Sequence, residues 1–373
     1  MRIGIDARMF GSGVTGIGIY VQQLVQALAA SIGNDELVVL VREPDAARLP
    51  RHDMVKVVTS DIPWYSWREQ LQLPSILSAQ RCDLWHFPNF NIPLRFRGKF
   101  VVTVHDLTPF DFPGPNQRRW WWRRAAYRQV MSSAIRRAVR VIAVSRSTAM
   151  ALAQRWPRGA PNIRVVYPGV APSFQPARDY GIIKATLERY HIAQPYLFYT
   201  GVWRDHKNLP GLIAAFGELR KTFGFRGQLV LGGARQGEDE KIAAALAHDE
   251  TGSIVTPGFI PDADLPALFQ GAVMTVVPSF SEGFGLIAVE SLACGTPVAA
   301  SQTTSVPEII GDAGRYFPPD QPVEMAKVMR LLLDENERAK VRTISSSVVS
   351  RYRWDVTAQK TWDIYREALM TFK

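Results

Sequence analysis

Short apolar segments alternate with amphipathic segments along almost the whole of this chain. The alternation is typical of a parallel α/β sheet, in which each strand is followed by a helix that covers one face of the sheet. In the first half we expect strands at residues 2–7, 37–41, 55–58, 84–86, 101–104, 139–144 and 163–166. In the second half we expect them at residues 196–200, 228–232, 254–256, 274–277 and 298–300.

The strand pattern breaks between Pro168 and Pro176, where three prolines and a glycine interrupt it. A length of 373 residues suggests two domains. We therefore expect an α/β protein with two Rossmann-like, doubly wound domains, residues 1–170 and 171–353, facing a central cleft at the carboxyl ends of their strands. A last helix in residues 354–373 has no strand after it and is expected to pack back on the first domain.

Composition excludes several other classes of protein. An apolar fraction of 47% with 21% charged residues is typical of a folded chain rather than a disordered one. No apolar run approaches the roughly 18 residues that a membrane-spanning helix needs. Residues 1–6 are expected to form a strand rather than a signal peptide, and Cys82 and Cys294 have no metal-ligand spacing. We therefore expect a cytoplasmic protein with two reduced thiols.

Positive charge is concentrated in the first half of the chain. Residues 1–170 contain 23 Lys and Arg against 11 Asp and Glu, whereas residues 171–373 contain 21 against 23. Between Asp111 and Asp179 there are 13 arginines and no Lys, Asp or Glu. This distribution predicts an anionic partner for the first half.

One segment of this region mixes arginine with tryptophan, as interfacial helices do. The segment comprises Arg118, Arg119, Trp120, Trp121, Trp122, Arg123 and Arg124. Each basic residue near an anionic leaflet contributes about 1 kcal/mol, and tryptophans insert at the level of the headgroups. We therefore expect attachment to an anionic membrane surface. The alternatives are a nucleic acid, for which no binding motif accompanies the patch, and tryptophans packed in the core among solvated arginines.

A glycine-rich run, residues 11–18, follows the first strand and precedes a helix over residues 20–30. The run contains the G-x-G-x-x-G spacing of a dinucleotide-binding fingerprint. Such a site also needs an acid at the end of the second strand, and Glu43 comes a few positions late. The run is better suited to a flexible loop that closes on a diphosphate at the helix N-terminus. A glycine turn without a ligand is the third interpretation.

Two histidines and one lysine lie at strand ends or at a helix start, positions where a bound ligand would account for a polar side chain. His105 ends the strand at residues 101–104, where it can hydrogen-bond a substrate hydroxyl or cap the next turn with Asp106. His86 lies at the end of the strand at residues 84–86, and the same two roles apply to it. Lys207 lies at the start of a predicted helix, a position that opposes the helix dipole unless an anion is bound there. A bound diphosphate and a solvated surface lysine are the two interpretations.

Two carboxylates flank a glycine turn after the strand at residues 274–277. Glu282 precedes Gly283-Phe284-Gly285, and Glu290 lies eight positions further along, on the helix that begins near Leu286. Free backbone N–H groups and the helix dipole make such a turn a good site for a phosphorylated ligand. No other charge lies on this apolar helix, so its carboxylate is unexplained without a ligand.

The two glutamates and the glycine turn resemble the E-x7-E element of retaining glycosyltransferases with the GT-B fold. Other elements of that family occur in order along nearly the whole chain. They are Gly4-Ile5-Asp6-Ala7-Arg8, Gly16-Ile17-Gly18, His105-Asp106, Val144-Ser145, Pro168-Gly169-Val170, Lys207-Asn208, Pro278-Ser279 and Val306-Pro307-Glu308. The chain is most similar to the family 4-like, bacterial mannosyltransferase-like group that builds surface polysaccharides.

The resemblance implies roles for the residues of the second half. Lys207 matches the lysine that neutralises the donor diphosphate, and Glu290 matches the carboxylate that binds the ribose hydroxyls. Glu282 matches the residue that holds the hydroxyls of the donor sugar. The backbone of the turn takes part in donor binding through Gly283, Phe284, Gly285 and Leu286.

The resemblance also assigns residues around the donor. His105 matches the histidine near the sugar and the reacting centre, and Gly16 and Gly18 match the loop that closes over the diphosphate and the acceptor. Many relatives carry a second basic residue near the lysine. Here Arg204 or His206 takes that place, and the sequence leaves open which of them contacts phosphate.

The resemblance implies a hexosyltransferase that acts with retention at the anomeric carbon. The expected co-substrate is a nucleotide sugar, GDP-mannose, and no cofactor is expected. Because Lys207, a second basic residue and helix N-termini can neutralise the leaving diphosphate, we expect no metal. The expected acceptor is a lipid-linked glycan or oligosaccharide at the inner face of the plasma membrane. The alternatives are another GDP- or UDP-sugar donor, or a nucleotide-sugar epimerase on the same fold; linkage and oligomeric state are left open.

Overall fold

The structure is a computed structural model that describes residues 1–11, 16–113, 121–177, 179–233, 240–247, 249 and 252–370. The chain divides into two compact units. Unit 1 comprises Met1–Gly169 and Arg353–Lys373, and unit 2 comprises Val170–Tyr352. Each unit is built on a parallel sheet with helices on its faces, as the alternating pattern predicts.

Within its described residues, unit 1 contains a parallel sheet of seven strands. They are β1 (Arg2–Asp6), β2 (Glu36–Val41), β3 (Val55–Thr59), β4 (Leu84–Phe87), β5 (Phe100–Val104), β6 (Arg140–Ala143) and β7 (Ile163–Val165). Their order is β3-β2-β1-β4-β5-β6-β7. The direction of winding reverses between β1 and β4, and parallel sheets bind ligands beyond the carboxyl ends of the strands at such a point.

Helices connect these strands. They are α1 (Gly16–Ala30), α2 (Trp67–Ala79), the single turn α3 (Thr108–Asp111), α4 (Trp121–Arg137) and α5 (Arg146–Arg155). A helix from the end of the chain, which we number α14 (Trp354–Met370), also belongs to unit 1. In the described part of the chain, no helix is both long enough and apolar enough to cross a membrane.

The core of unit 1 lies on both faces of its sheet, which is why its strands read as nearly continuous apolar runs. On one face, Ile5 and Val39 pack with α1 and α14. On the other face, Val102 packs with α2 and α4. Burying each such side chain stabilises the fold by roughly 1.5–3 kcal/mol.

Helix α14 is held to unit 1 by polar contacts as well as by packing. The fully buried His86 hydrogen-bonds the Tyr365 hydroxyl through Nδ1 at 2.7 Å and the Thr103 hydroxyl through Nε2 at 2.8 Å. Burial lowers the pKa of His86 to about 3, with a further contribution from nearby His105. His86 is therefore a neutral structural residue that links the sheet to α14.

Within its described residues, unit 2 contains a parallel sheet of six strands. They are β8 (Tyr196–Thr200), β9 (Gln228–Gly232), β10 (Ile254–Gly258), β11 (Met274–Val277), β12 (Val298–Ser301) and β13 (Gly314–Phe317). Their order is β10-β9-β8-β11-β12-β13, so the winding reverses between β8 and β11. Strand β13 is not predicted by the sequence pattern, because it is a four-residue edge strand that contains Arg315.

The helices of unit 2 complete the fold. They are α6 (Tyr180–Arg189), α7 (Leu209–Phe223), α8 (Glu240–Ala247), α9 (Leu265–Gly271), α10 (Leu286–Ala293), α11 (Val306–Ile310), α12 (Pro322–Leu331) and α13 (Glu335–Val349). Helices α7 and α10 start immediately after the loops that leave β8 and β11. These two loops therefore lie where the strand order reverses.

Candidate functional site

The loops after β8 and β11 bring two predicted site residues into contact. Lys207 belongs to a short 3-10 turn, Asp205–Lys207, between β8 and α7. Glu282 lies between β11 and α10. Although 75 positions separate the two residues, Lys207 Nζ donates to Glu282 Oε1 at 2.7 Å and to Oε2 at 2.8 Å. The pairing follows from the strand order, because β8 and β11 are neighbours in the sheet.

A serine completes the surroundings of this carboxylate. Ser279 Oγ donates to Glu282 Oε1 at 2.6 Å. Both charged side chains are mostly buried, with 15% of Lys207 and 12% of Glu282 exposed. Burial by itself would raise the pKa of Glu282, but the charge of Lys207 and the hydrogen bonds hold that pKa below its usual value. Glu282 is therefore ionised and acts as a hydrogen-bond acceptor at neutral pH.

Backbone contacts fix the two loops relative to each other. Asn208 adopts a left-handed conformation with φ of 54°. Its Nδ2 donates to the carbonyls of Pro278 at 3.1 Å and Pro319 at 2.6 Å. The Phe280 N–H donates to the His206 carbonyl at 2.8 Å. These contacts of Asn208 and His206, the two residues that flank Lys207, fix the backbone from which the Lys207 side chain extends.

The segment before α11 holds the backbone of Glu282. The Glu282 N–H donates to Thr304 Oγ1 at 2.9 Å, and Ser305 Oγ donates to the Glu282 carbonyl at 2.9 Å. Sequence analysis missed Thr304, Ser305 and the role of Ser279. The only available signal was the element Val306-Pro307-Glu308, which directly follows the two hydroxyl residues.

The glycine turn begins α10 in a conformation that requires glycine. Gly285 has φ of 90°, a region that other residues adopt only with strain. A Cβ at this position would also lie 3.2 Å from Val306 Cγ2. The preceding Phe284 is buried and packs edge-on against Tyr352, with ring centroids 5.3 Å apart. The turn therefore presents the first N–H groups of α10, beginning at Leu286, in a fixed orientation.

Glu290 lies one helical turn further along α10 and is half-buried. Among the described residues, none donates a hydrogen bond to its carboxylate. Burial raises the pKa of Glu290 to about 8, and the negative charge of Asp262 adds to this effect. A carboxylate that is costly to ionise and has no partner is a candidate for ligand binding.

The two candidates for a second basic contact lie on the same turn as Lys207. His206 is buried, and its charge contributes to the low pKa of Glu282. Arg204 is exposed and begins the turn in an extended conformation, with φ of −142°. Either side chain can therefore supply positive charge at this end of the sheet.

One acidic pair that sequence analysis overlooked bears on the expectation of no metal. Asp262-Ala263-Asp264 is an Asp-x-Asp sequence at the start of α9. Asp264 accepts hydrogen bonds from Arg189 Nη1 at 2.9 Å and from the Tyr190 hydroxyl at 2.6 Å, so it serves the packing of unit 2. The described residues contain no group of three or more His, Cys, Asp and Glu side chains placed to hold a metal ion.

In unit 1, His105 follows β5 and is partly buried. Its Nε2 lies 2.8 Å from the Pro88 carbonyl, so Nε2 carries the proton and donates it. Burial lowers the pKa of His105, and the ring packs edge-on against Tyr20 at 4.7 Å between centroids. His105 is thus a neutral imidazole whose Nδ1 is a hydrogen-bond acceptor.

A buried charge network lies at the reversal point of the unit 1 sheet, after β1. Arg8 donates to Asp6 through Nε at 2.8 Å and through Nη2 at 2.7 Å, and Nη2 also lies 2.6 Å from Glu69 Oε1. Glu69 Oε2 accepts from Asn91 Nδ2 at 2.7 Å. Asp6 and Arg8 line a small cavity at the carboxyl ends of β1 and β4, together with Phe87 and Pro88.

Gly16 and Gly18 lie in the first turn of α1, and the helix starts four residues earlier than residue 20, where the sequence predicts it. The expectation of a flexible loop at these two glycines is therefore wrong. Glycine is tolerated in a first turn, where the N–H groups have no partners within the helix. Residues 12–15 of the glycine-rich run lie outside the described residues.

The arginine-tryptophan segment is described from residue 121 onwards; Arg118, Arg119 and Trp120 lie outside the described residues. Trp121 is 79% exposed and Trp122 is 46% exposed. The Arg123 guanidinium lies 5.1 Å from the centre of the Trp122 ring. The alternative that these tryptophans pack in the core is therefore wrong for the two that the structure describes.

The sequence matches two family models, one in each unit. Residues 14–174 match Glycosyltransferase Family 4, and residues 190–345 match Glycosyl transferases group 1. The O-antigen chain mannosyltransferase B of Escherichia coli is 29% identical over 76% of this chain and 74% of its own length. Two other curated relatives are matched over only 31% and 33% of their own length, so the chain spans about a third of each.

Solved structures share the fold of this chain, in which two parallel-sheet units follow one another. A sucrose-phosphate synthase from Thermosynechococcus elongatus has a TM-score of 0.78 at 21% identity, over 100% of both chains. Anabaena Alr3699/HepE in complex with UDP and glucose has a TM-score of 0.74 at 19% identity, over 98% of this chain and 99% of its own. At these identities the likeness concerns the fold, which is GT-B. The chain therefore belongs to the GT-B glycosyltransferases that combine a family 4 domain with a group 1 domain.

Proposed function

We propose that this glycosyltransferase transfers mannose from GDP-mannose to a lipid-linked or oligosaccharide acceptor in surface polysaccharide biosynthesis. The observation that carries the proposal is the mostly buried Lys207–Glu282 pair, followed on α10 by Glu290, whose carboxylate has no hydrogen-bond donor among the described residues. The similarity to an O-antigen chain mannosyltransferase supports mannose as the sugar and a surface glycan as the product.

Lys207 would act on the leaving diphosphate. An ammonium group has three donors, and two of them are directed at Glu282, which leaves one for a phosphate oxygen. Positive charge that is already in place when the glycosidic bond breaks stabilises the departing diphosphate. Glu282 and the turn N–H groups from Gly283 to Leu286 would hold the sugar hydroxyls.

Glu290 would bind the ribose of the nucleotide. Two neighbouring hydroxyls can each donate to one oxygen of an ionised carboxylate. Their hydrogen bonds would lower the raised pKa of Glu290 and stabilise its charged form. This role explains a half-buried acid on a helix that is otherwise apolar.

The proposed reaction proceeds with retention and without a metal or a cofactor. The acceptor oxygen forms a bond to the anomeric carbon on the face from which the diphosphate leaves. The carbon–oxygen bond to the diphosphate breaks, and the acceptor hydroxyl proton passes to the departing phosphate oxygen. Lys207, a second basic residue (Arg204 or His206) and the N-terminus of α10 would supply the compensating charge.

We infer that unit 1 binds the acceptor substrate, the glycan that receives the sugar. His105 offers the neutral Nδ1 acceptor to a substrate hydroxyl. The exposed Trp121 and Trp122, with the neighbouring Arg123 and Arg124, support reversible attachment to the anionic inner face of the plasma membrane. Flotation with liposomes tests this part: binding to anionic vesicles should weaken as salt increases, and salt-independent or absent binding would contradict it.

Incubation with nucleotide sugars tests the reaction. With GDP-mannose and a mannan-type oligosaccharide or lipid-linked acceptor, we expect an α-linked product with the configuration of the donor, unaffected by a chelator. With donor alone, an epimerase would change the sugar, whereas the proposed transferase leaves it unchanged or hydrolyses it slowly. A chelator-sensitive reaction would contradict the metal-free mechanism.

Three substitutions test the residue roles. Glu290→Ala should weaken GDP binding, Glu282→Ala should lower turnover more than GDP affinity, and Lys207→Ala should do both. Near-full turnover in Lys207→Ala would contradict the diphosphate assignment. A matched control is Lys184→Ala, because Lys184 is an exposed lysine on α6.

A UDP-sugar is the second candidate donor, because HepE, which shares the fold, is solved with UDP and glucose. Thermal-shift measurements with GDP, UDP, ADP and their sugars separate the candidates. The proposal predicts the largest shift for GDP and GDP-mannose. A larger shift with UDP would favour the second candidate.

A further inference from the structure

A wide cavity of about 780 Å³, largely open to solvent, lies on the surface of unit 1. It lies between α4 and the end of α5. Four arginines line it: Arg124, Arg128, Arg136 and Arg155. Three aromatic residues, Phe110, Trp121 and Trp156, line it as well. The cavity therefore combines strong positive charge with apolar surface.

The four arginines of this cavity come from a part of the chain that contains no acidic residue. The sequence from residue 112 to residue 178 contains no Asp or Glu, so no carboxylate can come from α4, α5 or the chain between them. In the described part of the chain, none of the four guanidiniums forms an ion pair. In addition, Arg124 Nε is buried without a hydrogen-bond partner among the described residues.

Three of the arginines form a row along one face of α4. Arg128 lies about one turn and Arg136 about three turns after Arg124, so the three side chains extend over about 18 Å of helix. Like charges at a spacing of four residues repel and destabilise a helix. Arg124 also lies in the first turn, where positive charge opposes the helix dipole. A bound anion would remove both unfavourable terms.

The fourth arginine comes from a different element and has a fixed orientation. The Arg155 guanidinium lies 4.0 Å from the centre of the Phe110 ring. Stacking on an aromatic face leaves the N–H edges of a guanidinium free to bind phosphate oxygens. Trp156 is also anchored, because its Nε1 donates to Ser132 Oγ at 3.1 Å. Arg155 and Trp156 are therefore positioned in advance of any ligand.

We propose that this cavity binds the diphosphate of a lipid-linked acceptor, with the arginines on the phosphates and the aromatic side chains on the first part of the apolar chain. Guanidinium groups match phosphate oxygens in pairs, and a diphosphate offers enough oxygens for several of them. The exposed Trp121 at the mouth of the cavity is placed to meet the chain.

This proposal deepens the proposed function and rests on its lipid-linked acceptor. The cavity would bind the lipid diphosphate, which is the part of the acceptor that is common to every glycan carried on the same lipid. A single-stranded nucleic acid would use both the arginines and the aromatic side chains, so a competing oligonucleotide is one arm of the test.

Isothermal titration calorimetry with three soluble probes tests the site on the full chain, without donor. Farnesyl diphosphate carries both features, inorganic diphosphate carries only the anion, and farnesol carries only the chain. We expect farnesyl diphosphate to bind at least tenfold more tightly than either fragment. Equal binding of inorganic diphosphate would overturn the proposed lipid, and stronger competition by a single-stranded oligonucleotide would indicate a nucleic acid instead.

Arg128→Gln/Arg136→Gln should weaken farnesyl diphosphate binding at least tenfold. Both side chains are exposed, so the fold should be retained. Trp121→Ala should weaken the same probe about threefold to tenfold while leaving inorganic diphosphate unchanged. Arg51→Gln/Arg158→Gln, at two exposed arginines outside the cavity lining, removes the same charge and should change affinity less than twofold. If the double variant bound as the wild type does, the assignment would be wrong.

The test separates this site from the donor site. The thermal shift produced by GDP should be the same in the wild type and in the double variant. Suppose that GDP-mannose is not turned over but that farnesyl diphosphate binding depends on the arginines. This result would contradict the proposed function and support the proposed diphosphate site. If GDP-mannose is turned over but the probe does not bind, the site fails alone.

Discussion

Lys207 Nζ lies within 2.8 Å of both carboxylate oxygens of Glu282, so two residues expected to contact different parts of a donor contact each other. The pair allows each mostly buried charge to persist without a ligand. It also places the lysine and the carboxylate within one ligand's reach. We infer that donor binding adds a phosphate and sugar hydroxyls to an existing ion pair.

A double-mutant cycle measures this coupling. Lys207→Met should lower the free energy of unfolding by about 3 kcal/mol, because it leaves the Glu282 carboxylate buried without its counter-charge. Glu282→Gln added to Lys207→Met should recover at least half of that loss. Urea unfolding of the four proteins gives the coupling energy, and additive effects would mean that the pair is not coupled.

The raised pKa of Glu290 predicts a stability that depends on pH. Its folded-state pKa is about 8, above the ordinary value of 4.5, so between these values the folded state retains a proton that the unfolded state has lost. Stability from this group therefore decreases as the pH rises through that window. Relative to the wild type, Glu290→Gln should gain up to about 1.4 kcal/mol for each pH unit between pH 5 and pH 8. Urea unfolding at the two pH values checks this, and a constant difference would contradict the raised pKa.

His86 predicts the opposite dependence on pH. Its folded-state pKa is about 3, below the ordinary value of 6.5, so its contribution is present above pH 6.5 and is lost as the pH falls toward 3. His86→Gln cannot titrate and should make the fall in unfolding free energy between pH 6 and pH 4 shallower, by up to about 1.4 kcal/mol per pH unit. His52→Gln, at an exposed histidine, should leave the slope unchanged.

The hydrogen bond between the Tyr365 hydroxyl and His86 is expected to stabilise the attachment of α14 to the sheet of unit 1. Tyr365→Phe removes the partner of His86 Nδ1 and leaves a buried polar atom unpaired, at a cost of about 1–3 kcal/mol. Hydrogen exchange in α14 should accelerate in this variant. Tyr180→Phe, at a tyrosine that is 80% exposed, is the control. Equal stability of the two variants would show that packing alone holds the helix.

Gly285 predicts that the donor turn does not tolerate a side chain. Gly285→Ala should destabilise unit 2 by about 1–2 kcal/mol, because alanine is strained at φ of 90° and its Cβ would press on Val306. Gly217→Ala lies within α7, where a Cβ meets nothing within 4 Å, and should instead stabilise by about 0.5–1 kcal/mol. Thermal unfolding of both variants gives the comparison, and equal shifts in the same direction would contradict the assignment.

The sequence by itself determined the α/β class and the positions of most strands, because fully buried strands read as apolar runs whatever their neighbours are. It also pointed to Lys207, Glu282 and Glu290, since a charge in an apolar or unfavourable setting is visible locally. It missed β13, an edge strand whose short sequence includes a charge.

Only the tertiary structure decided which of these residues meet. Lys207 and Glu282 pair because β8 lies beside β11, an order that no local pattern encodes. His86 and His105 look alike in the sequence, since each ends a buried strand. The structure separates them. The Tyr365 hydroxyl, from the end of the chain, hydrogen-bonds Nδ1 of His86, whereas no described residue hydrogen-bonds Nδ1 of His105, which stays an acceptor. Contacts between distant segments depend on strand order and helix docking, and these are set by the packing of the whole unit.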